Sequence, residues 1–304
     1  MQARQSQIVT LVDGDLLCHI SRIGARITDI HDGVGQNWLY SSGSPEPPAG
    51  ASIQYADGTR DGWIECIPSI DPIPGSGDHG NFWTEQWVVV QSSSRSVTMI
   101  AAAEGLTVTR RVSIHAGRRR VCVGMSVRNM SGLPRHVLTS AHPLFAWSGE
   151  PLRVELPGPA SAEVRAGFGI DEPPRSWGEG ETALGEIARR SRGSARKFFV
   201  RWSGRAFLRD EASQAGLEVT ARGEATRWLG VCVNDRAWPP GRSADQWVAL
   251  EPASSPTDSL DVAIDEGSSL RLSPGERTTW IVTLRRFGAV GRSTPPDGQD
   301  CSNR

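Results

Sequence analysis

Apolar and polar positions alternate with a period of two along much of the chain. Val121, Val123, Met125 and Val127 share one side of a run whose other side is Cys122, Gly124, Ser126 and Arg128, which predicts a half-buried β-strand. Thr107 to Ile114 repeats the pattern, with Val108, Val112 and Ile114 on one face. In Thr278 to Arg285, Trp280, Val282 and Leu284 alternate with Thr279, Ile281 and Thr283; both faces carry apolar groups, so this strand is expected to be covered on both sides of a sandwich. Turn clusters separate such runs at Ser41 to Gly50, Pro72 to Gly80, Pro157 to Pro159, Asp171 to Pro174, Pro239 to Arg242 and Ser254 to Pro256, several of them long enough for binding loops. Helical spacing of apolar residues is confined to Glu181 to Arg192, where Ala183, Leu184, Ile187 and Ala188 precede Gly193. With no tandem repeat and no splitting linker, the pattern predicts an all-β fold: one large antiparallel β-sandwich over residues 1–287 with few short helices, then a frayed tail over residues 288–304.

Charge and composition narrow the function. Lys+Arg 33 against Asp+Glu 34 leaves a formal charge of -1, so neither a nucleic acid nor an anionic membrane is an expected partner. Gly 33 and Pro 20 are too many for a helical bundle. Cys18, Cys66, Cys122, Cys232 and Cys301 are odd in number, widely spaced and without a CxxC pair, which suggests neither a disulfide framework nor a zinc site. Residues 1–15 hold no apolar run of signal-peptide length, and no stretch reaches membrane-spanning length; a cytoplasmic protein is expected. Lys197 is the sole lysine.

Gly33-Val34-Gly35 lacks the third glycine of a dinucleotide fingerprint, and the glycines around Asp78 lack a P-loop lysine. Three other stretches crowd titratable and aromatic residues where a plain strand would alternate. Gly75 to Trp87 delivers His79 beside Gly80, just before Trp83 and Trp87; Ser140 to Trp147 carries His142-Pro143; Trp247 to Pro252 carries Glu251-Pro252. Proline restricts the residue before it, so His142 and Glu251 are expected as rigid groups at strand ends, each facing a cleft.

Taken in order, these stretches resemble the aldose 1-epimerase (galactose mutarotase-like) superfamily, whose fold is a large antiparallel β-sandwich. Ile23 to Ile30 resembles the family's opening, Gly62 to Ile70 with the His79-Gly80 loop its paired segments before the first active-site histidine, and His142-Pro143-Leu144-Phe145 its His-Pro-x-Phe motif. Leu250-Glu251-Pro252 is similar to the segment bearing the catalytic glutamate, and Pro274-Gly275-Glu276 ahead of Trp280 to the closing strand. The resemblance implies His142 as general acid, Glu251 as general base, and His79 and Glu65 in sugar binding. It leaves the family's sugar-binding aspartate unmatched, because the corresponding region reads Arg196-Lys197-Phe198-Phe199; Lys197 is a candidate substrate-binding residue, with Arg196 the alternative to the second arginine of phosphate-binding members. Arg60 stands where phosphate-binding members carry an arginine, but the second arginine of those members is Trp83 here.

The chemistry follows from the residues as well. Interconverting sugar anomers requires a base for the C1 hydroxyl proton and an acid for the ring oxygen, so Glu251 is expected to be ionised and a histidine protonated near neutral pH. Neither a metal nor an organic cofactor is called for. Indole rings stack on the apolar faces of sugars, and Trp63, Trp83, Trp147 and Trp238 lie nearest the proposed stretches. The expected activity is therefore an aldose 1-epimerase-like isomerase acting on a free sugar or sugar end. The alternatives are a non-catalytic carbohydrate-binding or regulatory protein of the same fold, a hexose-6-phosphate mutarotase, and a carbohydrate-cleaving enzyme on the same sandwich.

Overall fold

The computed structural model describes residues 7–33, 37–58, 60–146, 152–158, 162–169, 176, 193–210, 215–241 and 245–288. Among them two large antiparallel sheets face each other. The first runs in the order β1 (Ile8–Asp13), β2 (Leu16–Ser21), β3 (Ile27–His31), β4 (Trp63–Cys66), β10 (Ser140–Ala146), β17 (Gln246–Ala253), β16 (Trp228–Asp235), β13 (Ala195–Arg201) and β12 (Val164–Ala166). The second runs β11 (Leu152–Glu155), β14 (Arg205–Asp210), β15 (Gly216–Arg222), β19 (Arg277–Phe287), β8 (Arg120–Asn129), β7 (Leu106–His115), β6 (Ser96–Ala103) and β5 (Val88–Ser92). A small pair, β9 (Arg135–Val137) with β18 (Leu270–Leu272), stands apart. The predicted strands fall on β7, β8 and β19, and Val108, Val112, Val121, Val123, Trp280 and Val282 all point into the core between the sheets. β19 departs from expectation in one respect: its second face, Thr279 and Ile281 among it, is half-buried or exposed, because the eight-stranded sheet is packed on one side only.

One core cluster draws on the inner faces of both sheets, with Trp63, Phe145, Leu250 and Phe198 from the first meeting Val97, Met125, Val219 and Leu284 from the second. The first sheet is unusual in being buried on its outer face too: every residue of β16 is buried. That outer face is covered by the loops between β3 and β5 and by α1 (Leu260–Asp265), the single α-helix among the described residues, whose N-terminus is capped by the Ser259 side chain accepting from the Val262 N–H. The helix expected at Glu181 to Arg192 and the tail expected from Gly288 fall almost wholly outside the described residues. Cys122 is disulfide-bonded, which the cysteine spacing did not suggest, while Cys18, Cys66 and Cys232 are free and buried. No helix among the described residues is long and apolar enough to cross a membrane.

Candidate active site

The outer face of the first sheet is where the ionisable residues collect, and strand period decides which ones. β4 and β10 pair His142 with Ile64, so His142 shares the outer face with Ile64 and Cys66 while Trp63 and Glu65 point inward. β10 and β17 pair Ser140 with Ala253 and Leu144 with Ala249, a register that sets His142 opposite Glu251. Between those two pairings the ladder is open. Leu144 donates its N–H to Gly62 on the β4 side, so by alternation position 143 faces β17. Pro143 and Pro252 both place a nitrogen without a hydrogen in that seam. The strands nevertheless run on through both prolines, to Ala146 and to Ala253. The expectation that His142 and Glu251 end their strands is thus corrected: they lie mid-strand, where proline interrupts pairing without stopping the chain.

Around this seam the side chains close up. His142 Nε2 lies 3.6 Å from Glu251 Oε1, and Lys197 Nζ from β13 lies 2.7 Å from Glu251 Oε2 and 2.7 Å from Asp258 Oδ1. Gly230 makes this approach possible: it pairs with Glu251 across β16 and β17, and a Cβ there would meet Lys197 Cε and Glu251 Cβ at 3.2 Å each. Asp258 is fixed from its backbone, its carbonyl accepting the N–H groups of Ile70 and Asp71. The Asp78-His79-Gly80 loop supplies the opposite wall. His79 donates its backbone N–H to Ile70 and holds a left-handed φ of 64°, a costly conformation for a non-glycine residue. Gly80 lies against the Ile67 carbonyl, where a Cβ would come within 1.8 Å. Asp78 accepts from the Tyr55 N–H at 3.0 Å and bonds His79 Nδ1 at 2.7 Å. Tyr55 stacks on His79 at 4.1 Å and meets His142 edge-on at 5.4 Å; the two imidazoles are 5.1 Å apart.

Burial governs the protonation of these groups. It pushes His142 down to about 3 against the pull of Glu251, so the histidine rests neutral. Burial raises the Glu251 carboxyl, but the Lys197 ammonium more than offsets this and holds it below the usual carboxylate range. Burial likewise works against the Lys197 ammonium, and the Asp258 and Glu251 carboxylates outweigh it, leaving Lys197 above its ordinary value. For Asp78, burial is overcome by the His79 hydrogen bond, and its carboxyl is lowered. The resting site is therefore an ionised Glu251 against a protonated Lys197 that also donates to Asp258 Oδ1, with neutral His142 beside them. The expected ready-protonated His142 is not what this environment produces. No cluster of three or more His, Cys, Asp or Glu side chains among the described residues is placed to hold a metal ion.

No protein-family model and no curated protein matches the chain. Solved structures do, over nearly its whole length. A galactose mutarotase related enzyme from Lactobacillus acidophilus superposes with a TM-score of 0.70 at 13% identity, covering 93% of this chain and 98% of that one. A candidate aldose 1-epimerase from Escherichia coli K12 gives 0.68 at 19%, covering 92% and 99%. A galactose mutarotase-like protein from Clostridium acetobutylicum gives 0.67 at 13%, covering 92% and 95%. The fold is galactose mutarotase-like.

On this mutarotase-like sandwich the structure brings His79, His142, Glu251 and Lys197 together. Trp238 joins them, stacked at 6.1 Å on Tyr55. Trp63 and Glu65, expected to touch sugar, do not: they are 0% and 2% exposed on the inner face, where the Trp63 indole donates to Glu65 Oε1 and Arg110 approaches the same carboxylate at 3.4 Å. Trp83 is an internal prop, donating its indole N–H to the Asp78 carbonyl beneath Tyr55. Arg60 is committed to Asp245 at 2.8 Å and to the Ala56 carbonyl at 2.7 Å, which leaves less of its guanidinium for a phosphate. Trp147 lies outside the described residues. Tyr55, Asp258, Asp78 and Gly230 belong to the site and were not singled out from sequence for this role. The available signals were weak: Tyr55 is one of only two tyrosines, and Asp258 follows Glu251 by seven residues, just past a proline turn.

Proposed function

We propose that the chain interconverts sugar anomers by general acid/base ring opening, with Glu251 as base and His142 as acid. One observation carries this reading. The C1 hydroxyl oxygen and the ring oxygen are bonded to the same carbon, so an acid and a base serving them must stand side by side, as His142 Nε2 and Glu251 Oε1 do at 3.6 Å. Glu251 takes the hydroxyl proton while the ring oxygen gains one, the C1 to ring-oxygen bond breaks, and rotation about C1–C2 offers the other face before reclosure. A bound sugar supplies a ring-oxygen acceptor and hydroxyls to His142, offsetting part of its burial penalty, so His142 takes up its proton as the sugar binds. His79, held by Asp78, lines the sugar's other side. The likeness of the fold to mutarotase-related structures supports the reading, while fold alone fixes no activity.

The test is polarimetry on freshly dissolved pure anomers of several aldoses. The expected outcome is acceleration of mutarotation for at least one sugar, reduced about 10² to 10⁴-fold in Glu251→Gln and in His142→Asn. A second reading, a sugar-binding protein without turnover, draws on the Lys197 ammonium 2.7 Å from Glu251, which makes that carboxylate a weaker base. It predicts saturable binding with no acceleration for any sugar.

A further inference from the structure

A concavity lies on the same outer face, toward the β12 and β13 edge. It encloses about 450 Å³ and is lined by Arg165, Arg201, Arg227, Trp228, Ser254 and Glu266 among others. Strand register fixes its position relative to the site. Glu251 pairs with Gly230 and Gly230 with Phe199; one row further along, Ala253 pairs with Trp228 and Trp228 with Arg201. Rows of same-face residues are about 7 Å apart along a strand, the scale of one sugar unit. Ser254 and Pro256 of its wall belong to the loop that leaves Glu251 and reaches Asp258, so one segment borders both this concavity and the Glu251 site.

The lining has a definite chemistry. Trp228 is nearly buried at 6% exposure, and two guanidiniums lie over its ring, Arg165 at 6.0 Å and Arg201 at 5.4 Å. Three arginines face one lining carboxylate. Arg165 is held by Glu163 at 2.8 Å and Glu266 at 3.6 Å, and Arg227 by Glu224 at 3.4 Å. Arg201 stacks on Trp228 with no carboxylate partner among the described residues. Arg201 is exposed at the rim of this open concavity, and a planar guanidinium with free donors, stacked on an indole, is suited to two-point capture of a carboxylate.

We propose that this recess is a subsite for a carboxylate-bearing sugar unit, adjoining the unit held at Glu251, with Arg201 as its anion-binding residue. The substrate class becomes an acidic oligosaccharide end rather than a neutral free sugar. This rests on the anomer-interconverting reading for the neighbouring unit only. The test compares, by calorimetry at low salt, a reducing disaccharide whose non-reducing unit is glucuronic acid with its neutral glucosyl counterpart, and repeats both with Arg201→Ala and Arg201→Gln. The expected result is at least tenfold tighter binding of the acidic disaccharide by the wild type, with the preference lost in both variants and shrunk by added salt. Mutarotation of a neutral monosaccharide stays at the wild-type rate in both. Equal affinities, a preference that survives both substitutions, or glucuronate alone binding as tightly as the acidic disaccharide overturns the subsite. Failure of the wild type to accelerate any neutral monosaccharide, with the acidic preference intact, instead overturns the catalytic reading and leaves the subsite standing.

Discussion

Lys197 sets the working charge of Glu251. The carboxylate is fully buried, and without the ammonium at 2.7 Å burial alone would raise its affinity for a proton. Because the wild-type carboxyl is held low, activity is expected to persist into acid until another group fails. Lys197→Met releases that hold, and the acid limb of the kcat/KM profile moves to higher pH; Lys197→Arg keeps a cation and leaves the limb near its wild-type position. Steady-state rates between pH 4 and 8 check both, and an unmoved limb in Lys197→Met removes Lys197 from this role. His142 makes a stability prediction. Its folded-state value of about 3 lies below the ordinary 6.5, so the unfolded chain binds more protons between those values. The contribution is present in full above pH 6.5 and is lost as the pH falls toward 3, by up to about 1.4 kcal/mol per pH unit. Denaturant midpoints at pH 7 and pH 5 are therefore expected to differ more for the wild type than for His142→Asn; equal differences would show that His142 is not buried in the neutral form.

At the scale of elements, β4 shows how the period of two divides structure from chemistry. Ile64 and Cys66 floor the site; Trp63 and Glu65 belong to the core. Burial raises the Glu65 carboxyl to about 7 despite the nearby Arg110, whose own value burial lowers. Removing one member strands the other charge. Arg110→Met is expected to cost about 3–5 kcal/mol, and Glu65→Leu combined with Arg110→Met to recover most of it, as read from urea unfolding; a double variant as unstable as the single would mean that the pair contributes more than mutual neutralisation. The same strand shows why legibility in the sequence was partial. Alternation in β7 and β8 was plain because each of these strands has one buried face and polar residues on the other. β4 is buried on both faces, so a sequence such as Trp63-Ile64-Glu65-Cys66 gives no indication of which pair looks outward. His142-Pro143 and Glu251-Pro252 stood out by their prolines, yet a proline that opens one seam of a ladder reads in sequence like one that ends a strand. Lys197 was conspicuous as the sole lysine, but its contact with Glu251 depends on Gly230, a glycine whose role appears only when three strands are placed side by side.

For the whole molecule, the sandwich works as a rigid support that carries four distant segments to one place. Residue 79 arrives on a loop docked through Gly80, residues 142 and 251 from neighbouring central strands, and residue 197 from two strands further out. All-β character and the order of the segments could be read along the chain. The charge state of Glu251 and Lys197 could not, because it comes from burial and from pairs more than fifty residues apart. The proposed reaction of this assembly is the opening and reclosure of a sugar ring. Two-dimensional exchange NMR on an equilibrated aldose, or on an acidic disaccharide end, measures that directly, since only ring opening transfers magnetisation between the α and β anomeric protons. The account predicts exchange cross-peaks with catalytic amounts of wild-type protein that vanish with Glu251→Gln. Binding without such cross-peaks for any sugar tested, or cross-peaks of undiminished intensity in Glu251→Gln, would contradict it.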